Sequence, residues 1–269
     1  MSDLLLASLA APSIVACATR ERCKDALRRA LPRRRAKLTF VRNAAELAEA
    51  LQGSLVDAVI VDVGQATDET WVAASAAREF PSIPFFAYAA LRAAEMPALA
   101  RVCTLEFADC VVEGVEDDVC RDLLLPATFT VRFATALRGA ESRLGLTTPL
   151  QLQAWRYVVA QGGRTVRTEA IAAAVGLTRE HLSRRFSADG APNLKRVIDL
   201  VRLLAAAELA KNPGYDLPDV ARVLGFASAS HLSASCHRLV GVKSGSLTRL
   251  RPTDLMDRFV KQGRGRSRS

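Results

Sequence analysis

Polar and charged side chains line one face of a short predicted helix that follows Thr178. Leu182 and Phe186 are four residues apart, so they share the buried face of that helix. The opposite face carries the polar side chains Glu180, Ser183, Arg184 and Ser187. An arginine can donate two hydrogen bonds to guanine O6 and N7, and a glutamate can accept one from a cytosine amino group. This face is therefore a candidate for contacts with base edges in the major groove of DNA.

The residues before this helix indicate how it is positioned. A short Ala-rich helix starting at Thr168 is interrupted at Gly176, and Thr178 is suited to cap the helix that follows. The two helices would touch through the apolar residues Ile171, Val175, Leu177, Leu182 and Phe186. This is the pattern of a helix-turn-helix unit. His181 lies beside the apolar face, and we expect it to pack there rather than to contact a base.

The same plan occurs a second time, between Asp216 and Arg238. The matching turn glycines are Gly176 and Gly225, which are 49 positions apart. The second recognition helix exposes the weaker base-contacting side chains Ser230, Ser233, Ala234 and His237. We therefore expect the first unit to dominate base contacts. The second would position the protein on the DNA backbone, or contact thymine methyl groups through Ala234.

A single helix over residues 192–211 is predicted between the two units. Its 20 residues would span about 30 Å at roughly 1.5 Å per residue. One turn of B-DNA is about 34 Å, which is close to this length. The spacing predicts that the two recognition helices enter successive segments of the major groove on one face of the duplex.

Positive charge is concentrated in the same half of the chain. The chain has 269 residues and a net charge of +9. Residues 150–269 contain 20 basic and 9 acidic side chains, whereas residues 1–149 contain 17 basic and 19 acidic ones. A basic segment of this kind favours a polyanionic partner, with nucleic acid first.

Residues 13–125 alternate between apolar runs of strand length and helical segments. Strands are predicted at 13–18, 38–41, 56–62, 85–88 and 110–112. Helices are predicted at 20–31, 44–51, 70–79 and 93–102. Asn43, with Glu46 three residues later, is the predicted cap of the second helix. This alternation predicts an α/β domain with a parallel five-stranded sheet covered by helices on both faces.

This first half resembles the receiver domains of response regulators. Residues 56–62 resemble the third receiver strand, which ends at the aspartate that accepts phosphate, and residues 107–112 resemble the approach to and the body of the fifth strand. The resemblance makes Asp62 a candidate phosphoacceptor.

Other parts of that family's phosphorylation chemistry are missing. Residues 17–19, Cys-Ala-Thr, stand where receivers have an acidic pair that binds Mg²⁺. Tyr88 or Ala89 stands in place of a Thr or Ser, and Glu113 stands in place of a Lys. We therefore expect Asp62 to remain unphosphorylated. The first half is predicted to be a degenerate receiver-like domain that serves in dimerisation or in sensing by contact.

The repeated units resemble the DNA-binding domain of the AraC family of transcription regulators. The resemblance is carried by residues 182–186 (Leu-Ser-Arg-Arg-Phe), 206–209 (Ala-Ala-Glu-Leu) and 221–228 (Ala-Arg-Val-Leu-Gly-Phe-Ala-Ser). The closing segment 240–244 also fits, except that Ser244 stands where the family usually has proline. The family's base-contacting positions match Glu180, Ser183 and Arg184. The full predicted DNA-binding set is Arg179, Glu180, Ser183, Arg184, Arg185, Ser228, Ser230, Ser233, Ala234, His237 and Arg238.

Four regions are predicted along the chain. Residues 1–125 form the receiver-like domain, 126–148 a helical linker, 149–251 an all-α AraC-type domain with two helix-turn-helix units, and 252–269 a basic, disordered tail. Within the DNA-binding set, Arg179 and Arg185 are expected to contact phosphate groups or water rather than bases.

The sequence thus predicts a sequence-specific transcription regulator, an activator by family resemblance. Its expected partners are double-stranded DNA, RNA polymerase by resemblance, and a second copy of the chain that binds through the first domain. Three alternatives stay open: a response regulator controlled by phosphorylation of Asp62, an enzyme with an accessory basic domain, and a non-catalytic scaffold.

Several other functions are disfavoured by the sequence. It contains no Gly-rich phosphate loop and no nucleophile elbow, so no catalytic residue is assigned. The six cysteines form no CxxC pair or Cys/His cluster, so we expect reduced cysteines, no metal site and no cofactor. No apolar run reaches the roughly 18 residues of a membrane span, and residues 1–7 contain an acid but no base. We expect a cytoplasmic protein that lies at the nucleoid when bound to DNA.

Overall fold

The structure is a computed structural model that describes residues 10–266 of the chain, without the side chains of residues 189 and 264–266. It divides into two units. The receiver-like unit contains Ala11–Arg132 together with the short segment Asn212–Tyr215, and the helical unit contains the other described residues. The division between residues 132 and 133 lies inside the predicted linker. The predictions for residues 1–9 and 267–269 fall outside the described residues.

A parallel five-stranded sheet forms the centre of the receiver-like unit, as predicted. Its strand order is β2-β1-β3-β4-β5. The strands are β1 (Ser13–Cys17), β2 (Lys37–Val41), β3 (Ala58–Asp62), β4 (Phe85–Ala89) and β5 (Asp109–Val112). All five residues of β3 and of β4 are buried, because these apolar runs lie inside the sheet with helices on both faces. Strands are added to one side of β1 (β2) and then to the other (β3, β4 and β5), which is the strand order of the flavodoxin-like class, to which receiver domains belong.

Helices connect the strands. In the receiver-like unit they are α1 (Glu21–Ala30), α2 (Ala44–Gly53), α3 (Asp68–Ser75), α4 (Met96–Cys103), α5 (Asp117–Ala127) and the start of α6 (Phe129–Ala136). Asn43 caps α2 as predicted, since its side chain accepts a hydrogen bond from the Glu46 amide at 2.8 Å. The predicted helix 70–79 begins earlier, at Asp68, because Thr67 and Thr70 cap it reciprocally.

The helical unit continues from α6 with eight further helices among the described residues. They are α7 (Ala140–Arg143), α8 (Pro149–Val159), α9 (Thr168–Ala174), α10 (Arg179–Phe186), α11 (Leu194–Leu209), α12 (Leu217–Val223), α13 (Ala229–Val240) and α14 (Pro252–Arg266). The helix between the two helix-turn-helix units is shorter than predicted. Helix α11 begins at Leu194, where Asn193 caps it, and its 16 residues span about 24 Å rather than 30 Å.

The expectation of a disordered tail is wrong for residues 252–266, which form α14. Leu255, Met256 and Phe259 lie on one face of this helix and are buried. The Arg196 guanidinium lies 4.9 Å from the centre of the Phe259 ring, and the Asp254 side chain accepts a hydrogen bond from the Arg251 amide. Apolar spacing of one, three and four residues therefore outweighs the low-complexity basic composition that begins at Lys261.

The predictions for the cysteines and for membrane spans can be compared with the described residues. All six cysteines lie within the described residues and are free thiols, four of them buried. Among the described residues, no helix combines the length and the apolar character that crossing a bilayer requires.

Asp57 is a fully buried carboxylate at the entrance to β3. One of its oxygens accepts a hydrogen bond from the Ser13 amide at 2.7 Å. The other accepts from the Thr130 amide at 3.1 Å and from the Thr130 hydroxyl. The side chain therefore fastens the start of β1 and the start of α6 to the central strand, and the burial of its charge is compensated by these donors.

We predict that Asp57→Ala lowers the free energy of unfolding by about 3 kcal/mol, because it leaves buried amide donors without acceptors. Urea unfolding followed by circular dichroism measures this change. The control is Asp68→Ala, an exposed carboxylate in the same unit, which should cost only a few tenths of a kcal/mol. Equal effects of the two substitutions would contradict the structural role of Asp57.

Candidate nucleic-acid interface

The two helix-turn-helix units share the geometry of their turns. Gly176 and Gly225 have φ values of +69° and +66°, a left-handed conformation that glycine adopts without strain. In the first turn the Leu177 amide donates to the Ala172 carbonyl at 2.9 Å. In the second the Phe226 amide donates to the Ala221 carbonyl at 2.7 Å. Both helix-turn-helix predictions are confirmed. The offset of 49 positions applies up to the turn residues Leu177 and Phe226.

The recognition helices that follow, α10 and α13, are out of step by one residue. Thr178 caps α10 by accepting a hydrogen bond from the amide three residues later, and Ser228 caps α13 in the same way. These caps are 50 positions apart, so Ala227 is an additional residue in the second turn. Arg184 of α10 therefore corresponds to Ala234 of α13.

Helix α10 is held from its inner face. Leu182 and Phe186 are fully buried. The buried Gln151 side chain of α8 donates to the Phe186 carbonyl at 2.8 Å, and its oxygen accepts from the Thr148 amide at 3.0 Å. The Phe186 carbonyl at the end of α10 thus has a hydrogen-bond donor in Gln151, whose own position is fixed by Thr148. This contact orients the exposed face of the helix.

The predicted contact residues of α10 are all exposed. They are Arg179, Glu180, Ser183, Arg184 and Arg185. The Arg179 guanidinium forms an ion pair with Glu169 of α9 at 3.1 Å, between side chains that are both exposed. Among the described residues, neither Glu180 nor Arg184 forms a salt bridge, which leaves both groups available to bases.

His181 departs from the expectation that it packs against the core. Its side chain is exposed on α10, three residues before Arg184 and four before Arg185, so these residues share one side of the helix. The apolar spacing of Leu182 and Phe186 leaves position 181 at the edge of the buried face. Such an edge position can lie on either side of the boundary, and here it faces solvent.

The predicted residues of α13 fall into two groups. Ser230, Ala234 and His237 are exposed. The other three predicted side chains are engaged within the unit: the Ser228 hydroxyl in the cap, the Ser233 hydroxyl with the Ser244 hydroxyl at 2.8 Å, and Arg238 with Asp199 of α11 at 3.2 Å. Ser244 stands where the family usually has proline. Its hydroxyl forms a hydrogen bond with the hydroxyl of Ser233, which is one of the predicted contact residues.

Arg202 is a structural residue of this unit that the sequence did not single out. Its guanidinium lies 3.8 Å from the centre of the Phe226 ring, and its Nε donates to the Leu224 carbonyl at 2.8 Å. Helix α11 is therefore fixed to the turn of the second unit by a cation–π contact and a hydrogen bond. The sequence gives little signal for this role, because Arg202 is one of several charged residues of α11 and its partner lies 22 positions away.

The receiver-like unit has a second charged site where Asp62 ends β3. Asp62 and Glu113 are almost completely buried, with side chains 3% and 4% exposed. Arg20, from the loop after β1, donates to both oxygens of Asp62, with Nε 2.8 Å from Oδ2, and to Glu113 at 3.0 Å. One guanidinium thus joins the loops that follow three strands of the sheet.

Asp62 has a further hydrogen-bond partner, and Arg20 packs closely against Gly64 beside it. The Gly64 amide also donates to the Asp62 carboxylate, and a Cβ atom at position 64 would lie within 2.3 Å of the Arg20 guanidinium. The hydrogen bonds to Asp62 raise the pKa of Arg20 above its ordinary value, so its charge is permanent. Burial, with Asp62 and two glutamates nearby, raises the pKa of the Cys17 thiol to about 11, which leaves that thiol protonated and unreactive at neutral pH.

Comparison with known families identifies the helical unit. Residues 171–249 match the family described as a helix-turn-helix domain. The class of protein that this fold and site define is a DNA-binding protein with two helix-turn-helix units. More specifically, residues 171–249 form an AraC-type helix-turn-helix domain, preceded by a receiver-like domain. The predicted fold class and family resemblance are confirmed. No curated protein matches the chain in sequence.

Solved structures that resemble the chain include response regulators. A response regulator from Thermotoga maritima is 15% identical, with a TM-score of 0.38, and the match covers 44% of this chain and 98% of that one. Full-length FixJ from B. japonicum is 14% identical, with a TM-score of 0.38, over 83% of this chain and 98% of that one. These scores are low, so the receiver-like class rests on the strand order described above.

We predict that Arg20→Met lowers the free energy of unfolding at pH 7 by about 3 kcal/mol, because it leaves two buried carboxylates without their shared cation. Protonation of either carboxylate removes their repulsion. The folded variant therefore takes up a proton more readily than the unfolded chain does, and its stability deficit should shrink as the pH falls from 7 to 5. Urea unfolding of the full chain across this range measures the effect.

The control for this variant is Arg22→Met. Arg22 pairs with the same Glu113 at 2.7 Å, but its own side chain is 71% exposed, so its loss should cost less than about 1 kcal/mol. A deficit of Arg20→Met that stays constant with pH would contradict the electrostatic explanation.

Proposed function

We propose that the protein is a sequence-specific, DNA-binding regulator of transcription. The observation that carries this proposal is the face of α10, where Glu180, Ser183 and Arg184 are exposed on a helix anchored by Gln151 and by two fully buried apolar residues. A rigid helix of this kind can enter the major groove with its hydrogen-bonding groups already oriented.

The two recognition helices contribute unequally in this proposal. Arg184 would donate to guanine and Glu180 would accept from cytosine, whereas the corresponding side chains of α13, Ala234 and Ser230, offer a methyl group and a hydroxyl. The first unit therefore supplies most of the base discrimination. The second would contact thymine methyl groups and the backbone in a neighbouring segment of the major groove, since the helix between the units spans about 24 Å, less than one DNA turn of about 34 Å.

The proposed mode of action is activation, by contact with RNA polymerase at a promoter. The AraC type of the DNA-binding domain supports this role, and the receiver-like unit would supply contacts to a second copy of the chain. Its acidic site supports signalling by contact rather than by phosphate, because Asp62 is already paired with Arg20, and Glu113 with Arg20 and Arg22. The protein would act in the cytoplasm and associate with the nucleoid through DNA.

DNA selection from a randomised duplex pool with the full chain tests the proposal, and Arg184→Ala tests its main contact. We expect this variant to lose about 10- to 100-fold in affinity for the selected site and to lose the preference at one base pair. Competition titrations with single-base substitutions measure both quantities. The control is Arg258→Ala, which removes the same charge from an exposed position of α14.

Two results would contradict this assignment. One is a wild-type chain that enriches no sequence over random competitor DNA. The other is an Arg184→Ala variant that weakens all sequences equally, as the loss of a phosphate contact would do.

The receiver-like unit is tested separately with a small phosphodonor and Mg²⁺. We expect no phosphorylated species by intact-mass analysis of the full chain, because the Asp62 oxygens are engaged by Arg20 and the Gly64 amide. Asp62→Ala is the blank for this experiment. A mass increase of one phosphoryl group in the wild type that is absent from Asp62→Ala would support the alternative of a phosphorylation-controlled regulator.

A further inference from the structure

A basic groove lies inside the helical unit, between the start of α9 and the outer side of α11. It is an open cavity of about 250 Å³. Its walls carry the basic side chains Arg167, Arg179, Lys195 and Arg202 and the hydroxyls of Thr165 and Thr168. No base-contacting residue of the proposed interface lines it, so it is a separate feature of the same unit.

The two carboxylates in the groove are already paired. Glu169 pairs with Arg179 at 3.1 Å, and Asp199 pairs with Arg238 at 3.2 Å. Arg167 and Lys195 are exposed, and neither forms a salt bridge with another described residue. The groove therefore carries an excess of positive charge that the described part of the protein does not neutralise.

Arg202 gives the groove a donor that lacks an acceptor. Its Nε donates to the Leu224 carbonyl and its plane stacks on Phe226, which fixes the guanidinium. Its Nη2 atom is buried and has no hydrogen-bond partner. Burial lowers the pKa of Arg202 from its ordinary value, the shift expected when a charge lacks sufficient counter-charge. A buried charged donor without an acceptor is costly, and an anion in the groove that Arg202 lines would supply the missing counter-charge.

The groove is connected to both recognition helices. Arg179, on one wall, is the first residue of α10. Asp199, on the opposite wall, is paired with Arg238 of α13. The Thr165 hydroxyl also reaches the Leu224 carbonyl in the second turn, at 3.5 Å. An anion held by Arg167, Lys195 and Arg202 would therefore lie between the two helices that are proposed to contact bases.

We propose that this groove binds one phosphate group of the DNA backbone, in the segment between the two sites of base contact. The proposal rests on the proposed function and adds a contact that carries no base information. The three positively charged hydrogen-bond donors Arg167, Lys195 and Arg202 suit a phosphate group, whose oxygens accept hydrogen bonds from arginine and lysine. The exposed position of Arg167 and Lys195 suits a long polyanion that passes across the groove.

The contact has a structural consequence. A phosphate fixed between the recognition helices sets the register of the duplex against both units at once. The stack of Arg202 on Phe226 joins the groove to the second turn, so binding there also restrains the second unit against α11. Affinity would then depend on the spacing between the two base-contact sites, even though the groove contacts no base.

The test uses the full chain and the duplex obtained by selection. In the double variant Arg167→Gln/Lys195→Gln, two exposed side chains lose their charge while the stacked Arg202 is kept. We expect affinity to fall about tenfold at fixed salt. The slope of log K against log salt should become shallower by about 0.9, the value for one phosphate contact. The ratio of affinities for selected and random DNA should stay within about twofold of wild type.

Two matched controls separate this effect from general loss of charge. Arg167→Gln/Lys195→Gln is compared with Arg258→Gln/Lys261→Gln, which removes two exposed charges from α14. We expect the control to leave the salt slope within about 0.2 of wild type. In the second control, a neutral methylphosphonate replaces single phosphates of the duplex in turn. One position between the half-sites should weaken wild-type binding and leave the groove variant unaffected.

The outcomes distinguish this proposal from the function on which it rests. If the wild-type chain selects no DNA sequence, both fail. If it selects a sequence but the two double variants behave alike, or no methylphosphonate position depends on the groove, the phosphate contact alone is overturned. Saturable binding of inorganic phosphate that the groove variant loses, with DNA binding unchanged, would also overturn it in favour of a small-anion site.

Discussion

The burial of α11 is the constraint on which the helical unit depends. Eleven of its 16 residues are buried, and it contacts α8, α12, α13 and α14. Each helix-turn-helix unit is too short to bury its own apolar face. The second unit packs directly on α11, whereas the first packs on α8, which itself contacts α11. The recognition helices are therefore set by packing rather than by their own helical propensity. The Arg202–Phe226 contact and the Asp199–Arg238 pair extend the attachment from the core to the surface.

The receiver-like unit has the strand order of its class, and the acidic residues at the ends of two of its strands are paired within the chain. The sheet delivers Asp62 and Glu113 to the same edge, as parallel strands do with the residues that follow them. Two buried carboxylates at that edge need a cation. Here the chain supplies it as Arg20, whose planar guanidinium bonds both acids. The charge that would otherwise attract an external ligand is satisfied internally.

The features that the sequence predicted depend on local signals, and those that it missed depend on contacts between distant residues. Strands β3 and β4, the Asn43 cap and the two turn glycines follow from short windows of sequence. The role of Arg20 could not be predicted in this way, because its partners lie 42 and 93 positions away. Helix α14 differs from the prediction because the basic, low-complexity composition of residues 261–269 masks the helical spacing of Leu255 and Phe259. The end of α11 was placed too late because helical propensity continues past Leu209, where packing no longer supports the helix.

The extra residue in the second turn limits how far the repeat can be used to compare the two recognition helices. An offset of 49, taken from the turn glycines, would pair Arg184 with Ser233, whose hydroxyl is engaged by Ser244. The caps give an offset of 50, which pairs Arg184 with the exposed Ala234. Under the same offset, Arg185 corresponds to Ser235, which is buried, so the two helices expose different arcs to solvent. At this offset the buried Leu182 and Phe186 correspond to the buried Leu232 and Cys236, so the second recognition helix presents the same side with a narrower and less polar exposed face. This difference supports the proposal that backbone contacts near α11 help to position the protein on DNA.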